Sequence, residues 1–231
     1  ILESMLMSSS ERIPLMKRSI FWLVILIMIA GATYIYEKDL FSNGLEAITV
    51  STNGKKLPIY RVNTDKPMVA LSFDAAWGNE DTQKILDILK KYKINVTFFM
   101  TGGWVESYPD DVKAIKAAGH DLGNHSEHHK HMPQLNNSSI CDELNSVTEK
   151  VEKLTNTKMC LFRPPYGDYN NALIEQAKNC GYYTIQWDVD SLDWKNYGVE
   201  PIVNTVLNHK SLRNGSIILM HNGAKYTAQA L

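Results

Sequence analysis

The sequence contains few cysteines and almost no net charge, and each shortage argues against a class of protein. Its three cysteines, Cys141, Cys160 and Cys180, lie far apart and form no CxxC pair. This spacing indicates neither a zinc knuckle nor a disulfide framework, and at most one disulfide can form. The formal net charge is -1, with no basic stripe and no basic patch interleaved with aromatic residues. We therefore expect no nucleic-acid partner.

Internal repeats, low-complexity tracts and the composition of a disordered chain are also missing. The 231 residues have ordinary apolar content. A chain of this length can bury one sizeable core, so we expect one domain of the size of a catalytic domain, together with an appendage.

An uncharged apolar run near the N-terminus accounts for the appendage. Residues 20–36 carry no charge and follow Lys17-Arg18. Such a run can cross a thin bilayer, and the cations before it place the N-terminus on the cytoplasmic side. Residues 1–36 are therefore predicted to be a leader with a signal anchor, and the remainder lies outside the cytoplasmic membrane. A cleaved signal ending near Ala30-Gly31-Ala32 is one alternative, and a buried core helix is another.

Residues 37–66 are predicted to be a linker with short extended runs at 48–50 and 58–62. From residue 67 onward, apolar strands alternate with amphipathic helices. Strands are predicted at 68–73, 96–100, 121–124, 160–162, 183–187 and 216–220, and helices at 81–92, 110–118, 138–154, 171–179 and 201–208. This alternation predicts an α/β fold with parallel strands, as a barrel or as a doubly wound sheet.

Ionisable side chains recur at or just after the ends of the predicted strands. In a parallel barrel these ends form the active-site face, because the loops that leave them converge on one mouth. The residues at these positions are Asp74, His125, Arg163, Asp188, Asp190 and His221.

Five of the seven histidines fall within residues 120–131. His125 and His129 have the i,i+4 spacing that places two side chains on one side of a helical turn, and neutral imidazole is the commonest protein ligand of zinc. His128 and His131, at i,i+3, form a rival pair, and spacing alone does not decide between the two.

Five motifs in this order resemble those of the polysaccharide deacetylase family, also known as the NodB-homology or carbohydrate esterase 4 family. They are Ser72-Phe73-Asp74-Ala75, His125-Ser126-Glu127-His128-His129, Arg163-Pro164-Pro165-Tyr166-Gly167, Asp190-Ser191-Leu192-Asp193-Trp194 and Leu219-Met220-His221. The longer stretches Phe73-Asp74-x-x-Trp77-Gly78 and Leu219-Met220-His221-Asn222-Gly223-Ala224-Lys225 look most like the sporulation-associated bacterial branch.

The resemblance implies that residues 67–231 form a distorted barrel of the (β/α)7 type. It also implies metal-dependent removal of acetyl groups from peptidoglycan N-acetylglucosamine or N-acetylmuramic acid in the bacterial cell envelope. The expected cofactor is a divalent ion, zinc or another such as cobalt.

The resemblance further implies a role for each site residue. His125 and His129 would hold the metal, Asp74 would be the general base, and Arg163 would keep Asp74 oriented and ionised. The backbone N–H of Tyr166 would stabilise the oxyanion. The remaining roles are a general acid at His221, its tuning partner at Asp190, and a substrate-binding pocket formed by Trp194, Leu219 and Pro165.

Each of these side chains also has a structural explanation. Asp74 could cap a loop, Arg163 could form a structural ion pair, and Trp194 could belong to the core. The other tryptophans, Trp77, Trp104 and Trp187, could either pack or stack on sugar rings.

Two features depart from the family pattern. Ala75 occupies the position where members with three protein ligands have a second aspartate. Asn79 or the Trp77-Gly78 backbone could compensate, but the sequence does not show that either does. This departure keeps open a glycan-binding protein without metal, and an O-acetyl esterase is a further alternative. The chain also ends about ten residues after His221, where the family continues, which suggests a truncated C-terminus.

Overall fold

The computed structural model describes residues 54–231. The predicted leader and the apolar run at residues 20–36 lie outside this part of the chain. Within it, no helix is both long enough and apolar enough to cross a bilayer.

Seven parallel strands form one curved sheet in the described chain. They are β1 Ala70–Ala75, β2 Thr97–Met100, β3 Asp121–Asn124, β4 Leu161–Phe162, β5 Tyr183–Thr184, β6 Val189–Asp190 and β7 Ile217–Asn222. Their order is β5-β4-β3-β2-β1-β7-β6. This is the cyclic order of a barrel opened between β5 and β6, so the barrel alternative is confirmed over the doubly wound sheet.

The helices cover the outside of this sheet. They are α1 Thr82–Tyr92, α2 Gly102–Ser107, α3 Pro109–Ala117, α4 Asn137–Thr155, α5 Asn171–Asn179, α6 Val199–Leu207 and α7 Thr227–Ala230. Side-chain caps fix several of their starts, as expected for Thr and Asn at N-cap positions. Thr101 accepts a hydrogen bond from the backbone N–H of Trp104, and Asn136 and Asn170 cap α4 and α5 in the same way.

Most predicted elements are present, and the differences have local causes. α2 was missed because it opens on Gly102-Gly103 and has only six residues, too few to show a helical period. The strand predicted at 183–187 is shortened to β5, and a separate short strand, β6, follows it.

The predicted linker takes part in the sheet. Ile59 forms a parallel bridge with Ile185 beyond β5, and Arg61 forms an antiparallel bridge with Ser216 before β7. The backbone N–H of Ile59 donates to Thr184, and that of Val62 donates to Gly215. The segment at residues 58–62 therefore lines the seam that the parallel strands leave open.

Side chains alternate between two environments along β1 and β2. Phe73 and Ala75 belong to the large apolar core beneath the helices, with Phe98 and Met100 of β2. Phe99 belongs to a smaller cluster with Ile185 and Ile217. Asp74 alternates with Phe73 and Ala75, so it faces the interior of the barrel at the carboxyl end of β1.

Candidate active site

A buried ion pair lies at the centre of the barrel mouth. Asp74 is 4% exposed and Arg163 is fully buried. The Nη1 of Arg163 donates to Oδ1 of Asp74 at 2.7 Å, and its Nη2 donates to Ser72 Oγ at 2.8 Å. The guanidinium also packs over the ring of Phe99, 4.1 Å from its centroid. Burial acts to raise the pKa of Asp74, but the charges of Arg163 and of nearby histidines outweigh it and hold the pKa below its ordinary value.

His125 directly follows β3, and its side chain lies next to the ion pair of Asp74 and Arg163. Its Nδ1 is 2.7 Å from the backbone carbonyl oxygen of Arg163. Burial lowers the pKa of His125, so the ring is neutral at pH 7 and its Nδ1–H donates to that carbonyl. The unprotonated Nε2 then faces Oδ2 of Asp74 at 3.5 Å.

His129 lies beside His125, with the ring centroids 5.0 Å apart. Its backbone is left-handed, with φ of 52°, so the pair is brought together by a loop rather than by the helical turn that the spacing suggested. Burial, followed by the neighbouring His125, lowers the pKa of His129 to about 4. Tyr166 packs against the edge of the ring at 4.6 Å, and Trp77 lies 6.3 Å away on another side.

The rival pair does not form a site. His128 bonds through Nδ1 to Glu143, and His131 bonds through Nδ1 to Asp168. The ring of His131 stacks on Tyr166 at 4.2 Å. These two imidazoles therefore have different partners, whereas His125 and His129 adjoin each other.

His221, at the end of β7, is held by Asp193 and not by Asp190, so the predicted tuning partner is wrong. The Nδ1 of His221 is 2.7 Å from Oδ1 of Asp193, and its backbone N–H donates to Oδ2 of Asp193. Asp190 instead accepts from the backbone N–H of Leu192. The left-handed backbone of Leu192, φ 56°, turns the chain and carries Asp193 beneath the imidazole.

The pKa of His221 is raised by this arrangement. Burial alone would lower it, but the hydrogen bond that His221 donates to Asp193 and the charge of Asp74 more than compensate. Thr227 Oγ1 also donates to Asp193, whose pKa is lowered because these hydrogen bonds outweigh its burial. His221 is thus suited to carry a proton near neutral pH.

One cavity of about 430 Å³ joins these groups. Its walls are formed by Asp74, Trp77, His125, His129, Tyr166, Trp187, Asp190, Trp194, Leu219 and His221. Trp194 is half exposed at the rim, whereas Leu219 is buried in the wall. Among the described residues, Arg163 and Pro165 are predicted site residues that do not line the cavity. Arg163 lies beneath it, bonded to Asp74, and Pro165 is buried at the start of the turn that carries Tyr166.

That turn places Tyr166 in a strained conformation. Tyr166 has φ of 61°, and Gly167 after it has φ of 69°. A non-glycine residue in this region is uncommon and persists where its surroundings hold it, frequently at functional sites. The backbone hydrogen bonds of the turn run from Gly167 to Pro164 and from Asp168 to Pro165. The oxyanion role of the Tyr166 N–H stays a prediction.

The donor chemistry of the histidine pair fits a divalent ion. A neutral imidazole nitrogen and a carboxylate oxygen both accept, yet His125 Nε2 and Asp74 Oδ2 face each other at 3.5 Å. A cation held by His125 would relieve this opposition, and His129 would supply a second neutral nitrogen. The bond from His125 Nδ1 to a carbonyl is the kind that orients metal-binding histidines.

A third protein ligand is not evident. In residues 54–231 no group of three or more His, Cys, Asp or Glu side chains is arranged to hold a metal. Ala75 is fully buried in the apolar core. Among the suggested substitutes, Asn79 donates from Nδ2 to Asp111, and the carbonyl of Gly78 accepts from Trp104. Compensation for Ala75 by these groups stays a prediction.

Two residues of the site were not identified from the sequence. Asp193 stands in the same motif as Asp190, the residue to which the family resemblance gives the tuning role. Glu143 lies on α4 in the face formed by Ile140, Leu144 and Val147, where a carboxylate breaks the apolar pattern. A carboxylate within an apolar helix face can be recognised in the sequence, but it does not show which residues Glu143 is bonded to.

Comparisons with known proteins identify related sequences and structures. Residues 61–185 match the model of the polysaccharide deacetylase family. The peptidoglycan-N-acetylmuramic acid deacetylase PdaA of Bacillus subtilis is 35% identical over 180 residues, which cover 74% of this chain and 66% of PdaA. A peptidoglycan-N-acetylglucosamine deacetylase of Bacillus cereus is 34% identical over 174 residues, 74% of this chain and 80% of that protein.

A solved structure of a relative that is described as a pseudoenzyme is also similar. The wild-type BA3943 protein of Bacillus anthracis, a CE4 family pseudoenzyme, superposes with a TM-score of 0.72 at 36% identity, covering 75% of this chain and 61% of that one. The chain spans 57 to 66% of the length of several curated relatives, PdaA among them. With a family match over residues 61–185 and the five motifs gathered at one barrel mouth, the chain belongs to the polysaccharide deacetylase family.

Proposed function

We propose that this protein is an exported, metal-dependent deacetylase that hydrolyses the N-acetyl group of N-acetylglucosamine or N-acetylmuramic acid in peptidoglycan. The observation that carries the proposal is the convergence of three groups on one cavity. They are the ionised Asp74 beside Arg163, the neutral pair His125 and His129, and the Asp193-bonded His221.

The residues divide the work of amide hydrolysis between them. His125 and His129 hold the divalent ion, zinc or cobalt, which when bound supplies an acidified water and a Lewis acid for the acetyl carbonyl. Asp74 takes the proton of the attacking water, and its lowered pKa keeps it ionised for that role. Arg163 fixes the carboxylate in place through the 2.7 Å bond to Oδ1, which leaves Oδ2 facing the histidines.

Breakdown of the tetrahedral intermediate needs a proton on the leaving amine. His221 lines the cavity and donates that proton from Nε2, since Nδ1 is bonded to Asp193. The N–H of Tyr166 stabilises the oxyanion, and Leu219 and Trp194 bound the pocket for the acetyl group and the sugar. Asp190 lines the same cavity and adds negative charge near His221.

The test is acetate release by the full chain, purified in detergent and loaded with Zn²⁺ or Co²⁺, from muropeptides and chitin oligomers. Asp74→Asn and His221→Ala are each expected to lower kcat/KM by about 10²–10⁴-fold, the usual contribution of a general base or acid. Asp87→Asn, an exposed change on α1, serves as the control. Absence of acetate release from every N-acetylated glycan in the metal-loaded wild type would reject the proposal.

A second candidate is a glycan-binding wall protein without catalytic activity. The buried Ala75 and the similarity to a CE4 pseudoenzyme favour it. It predicts glycan binding without acetate release and no metal after gentle purification, so about one equivalent of zinc per chain would exclude it. An O-acetyl esterase would use the same residues, and release of acetate from acetylxylan in preference to muropeptides distinguishes it.

Export is part of the same proposal. It is supported by the apolar run at residues 20–36 after Lys17-Arg18 and by the disulfide between Cys141 and Cys180, because disulfides persist in oxidising compartments. A C-terminally tagged chain is expected to be degraded by protease added to intact spheroplasts. Protection of the tag until the cells are lysed would contradict export.

A further inference from the structure

A buried carboxylate on α4 is bonded to the loop that carries the metal-binding pair. Glu143 is 5% exposed, within the face of α4 that packs against the core. Burying a carboxylate in apolar surroundings is strongly unfavourable unless its oxygens are paired. The groups that are bonded to Glu143 therefore indicate its role in the structure.

Three bonds to Glu143 come from the two residues that flank His129. Its Oε2 accepts from the backbone N–H of His128 at 2.9 Å. Its Oε1 lies 2.9 Å from Nδ1 of His128 and 2.7 Å from Nζ of Lys130. One carboxylate on α4 thus ties down the residue before His129 and the residue after it.

The loop needs such support because its backbone is strained at two points. Ser126 and His129 both have left-handed backbones, with φ of 65° and 52°. Non-glycine residues hold this conformation where neighbouring contacts impose it. The backbone N–H of His129 donates to Ser126 Oγ at 3.1 Å, which closes the loop on itself.

The other end of the loop is also attached to α4. Asn124 donates from Nδ2 to the carbonyl of Leu144 at 2.7 Å, and its Oδ1 accepts from the backbone N–H of Ser126 at 2.9 Å. Leu144 is the neighbour of Glu143 on the helix. The loop from Asn124 to Lys130 is therefore anchored at both ends on one turn of α4.

We propose that Glu143 is a positioning residue, which holds His129 against His125 and thereby sets the affinity of the pair for a divalent ion. The inference rests on the proposed metal-binding role of that pair. Glu143 acts through the backbone of His128 and touches neither imidazole of the pair. A loop that is already ordered loses less entropy when the ion binds, so loss of the clamp weakens binding.

The experiment measures the affinity of the full chain for Zn²⁺ by competition with a chromogenic chelator. Glu143→Met keeps the volume and removes both acceptors, and it is expected to weaken zinc binding by about 10–100-fold, the usual effect of losing an outer-shell partner. Glu143→Gln keeps one oxygen for the His128 N–H and loses the ion pair with half-exposed Lys130. It is expected to retain near wild-type affinity, because the acceptor that holds the backbone N–H of His128 is kept.

Two controls separate positioning from a general loss of stability. Asp142→Asn removes one charge from the exposed neighbour on α4 and is expected to change nothing. Hydrogen exchange of the His129 amide, measured without metal, is expected to be faster in Glu143→Met than in Asp142→Asn. If Glu143→Met does not fold, Glu143→Asp provides the same comparison, because its shorter carboxylate withdraws from the His128 N–H.

Wild-type zinc affinity in Glu143→Met would overturn the inference, as would equal weakening in Glu143→Met and Glu143→Gln. Tight zinc binding by a wild-type chain that releases no acetate would reject the catalytic proposal alone. A wild-type chain that binds no zinc would reject both the metal site and the role of Glu143.

Discussion

At the scale of single residues, the site contains two carboxylates that are bonded to different basic side chains. Asp193 is bonded to His221 through both its oxygens, while Asp74 is bonded to Arg163. The two carboxylates therefore have opposite effects on the protons that the reaction needs. In the proposed mechanism, Asp74 stays ionised to accept one proton, and Asp193 stabilises the imidazolium that gives one up.

This division predicts how activity depends on pH. The pKa of His221 lies above its ordinary value of 6.5, and the imidazolium is lost as the pH rises through it. Activity that needs the proton is therefore lost on the alkaline side. In Asp193→Asn the pKa of His221 falls, because burial is no longer opposed by the strongest partner, and the alkaline limb of kcat/KM moves to lower pH.

The acid limb belongs to Asp74 and is expected to stay in place in Asp193→Asn. Asp190→Asn is the matched comparison, because Asp190 raises the pKa of His221 only through its charge. It should move the alkaline limb in the same direction and by less. A larger shift in Asp190→Asn than in Asp193→Asn would restore the assignment first made from the sequence.

The site residues that could be predicted from the sequence are those next to apolar strands. Asp74, His125, Arg163 and His221 adjoin apolar strands, and the convergence of parallel strand ends made their meeting predictable. Choosing Asp193 over Asp190 depended on the left-handed backbone of Leu192, a residue type that gives no sign of such a turn. That pairing could not be read from the order of the residues.

At the scale of elements, short turns fix the cavity wall. Gly167 has φ of 69°, and a Cβ added there would lie 2.9 Å from Cη2 of Trp187. The turn of Tyr166 and the indole of Trp187 therefore fit together only when residue 167 lacks a side chain. Strain in this turn is transmitted directly to two side chains that line the cavity.

Gly167→Ala is expected to lower both kcat and the free energy of unfolding. The left-handed backbone costs a non-glycine residue about 1–2 kcal/mol, and the contact with Trp187 displaces the cavity wall in addition. Gly181→Ala is the matched control, because Gly181 has φ of 91° with no atom within 4 Å of its added Cβ. Gly167→Ala should lose at least as much stability in urea as Gly181→Ala, while Gly181→Ala keeps wild-type kcat. Equal kcat in both would contradict the role of the turn.

The seam segment was the element that sequence patterns placed least well. Residues 58–62 resemble a linker because one short extended run without a partner has no distinguishing period. Ile59 packs with the cluster of Phe99, Ile185 and Ile217 inside the barrel. We expect Ile59→Ala to cost about 1–2 kcal/mol of unfolding free energy in urea. Val69→Ala, at a half-exposed position before β1, should cost less than about 0.5 kcal/mol. An equal loss in both variants would show that the packing of Ile59 at the seam does not contribute to stability.

At the scale of the whole molecule, one covalent link joins two helices around the site. Cys141 on α4 is bonded to Cys180 directly after α5, across a sequence separation of 39 residues. The closed loop contains β4, Arg163 and the turn of Tyr166. Sequence arithmetic allowed one disulfide but could not select it, because the partners are brought together by the packing of α4 on α5.

Closing a loop of this length removes entropy from the unfolded chain, and the chain-entropy relation gives about 4 kcal/mol, with measured values usually about 2–4 kcal/mol. Cys141→Ser is therefore expected to lower the unfolding free energy by an amount in that range, and dithiothreitol should lower the wild type equally while leaving Cys141→Ser unchanged. Cys160→Ser is the control, because Cys160 is a free thiol that should leave the response to reductant intact. Urea unfolding of the metal-free chain, followed by tryptophan fluorescence, measures all three. Equal stability of the wild type with and without reductant would show that α4 and α5 are held by packing alone, and the disulfide would then no longer support export.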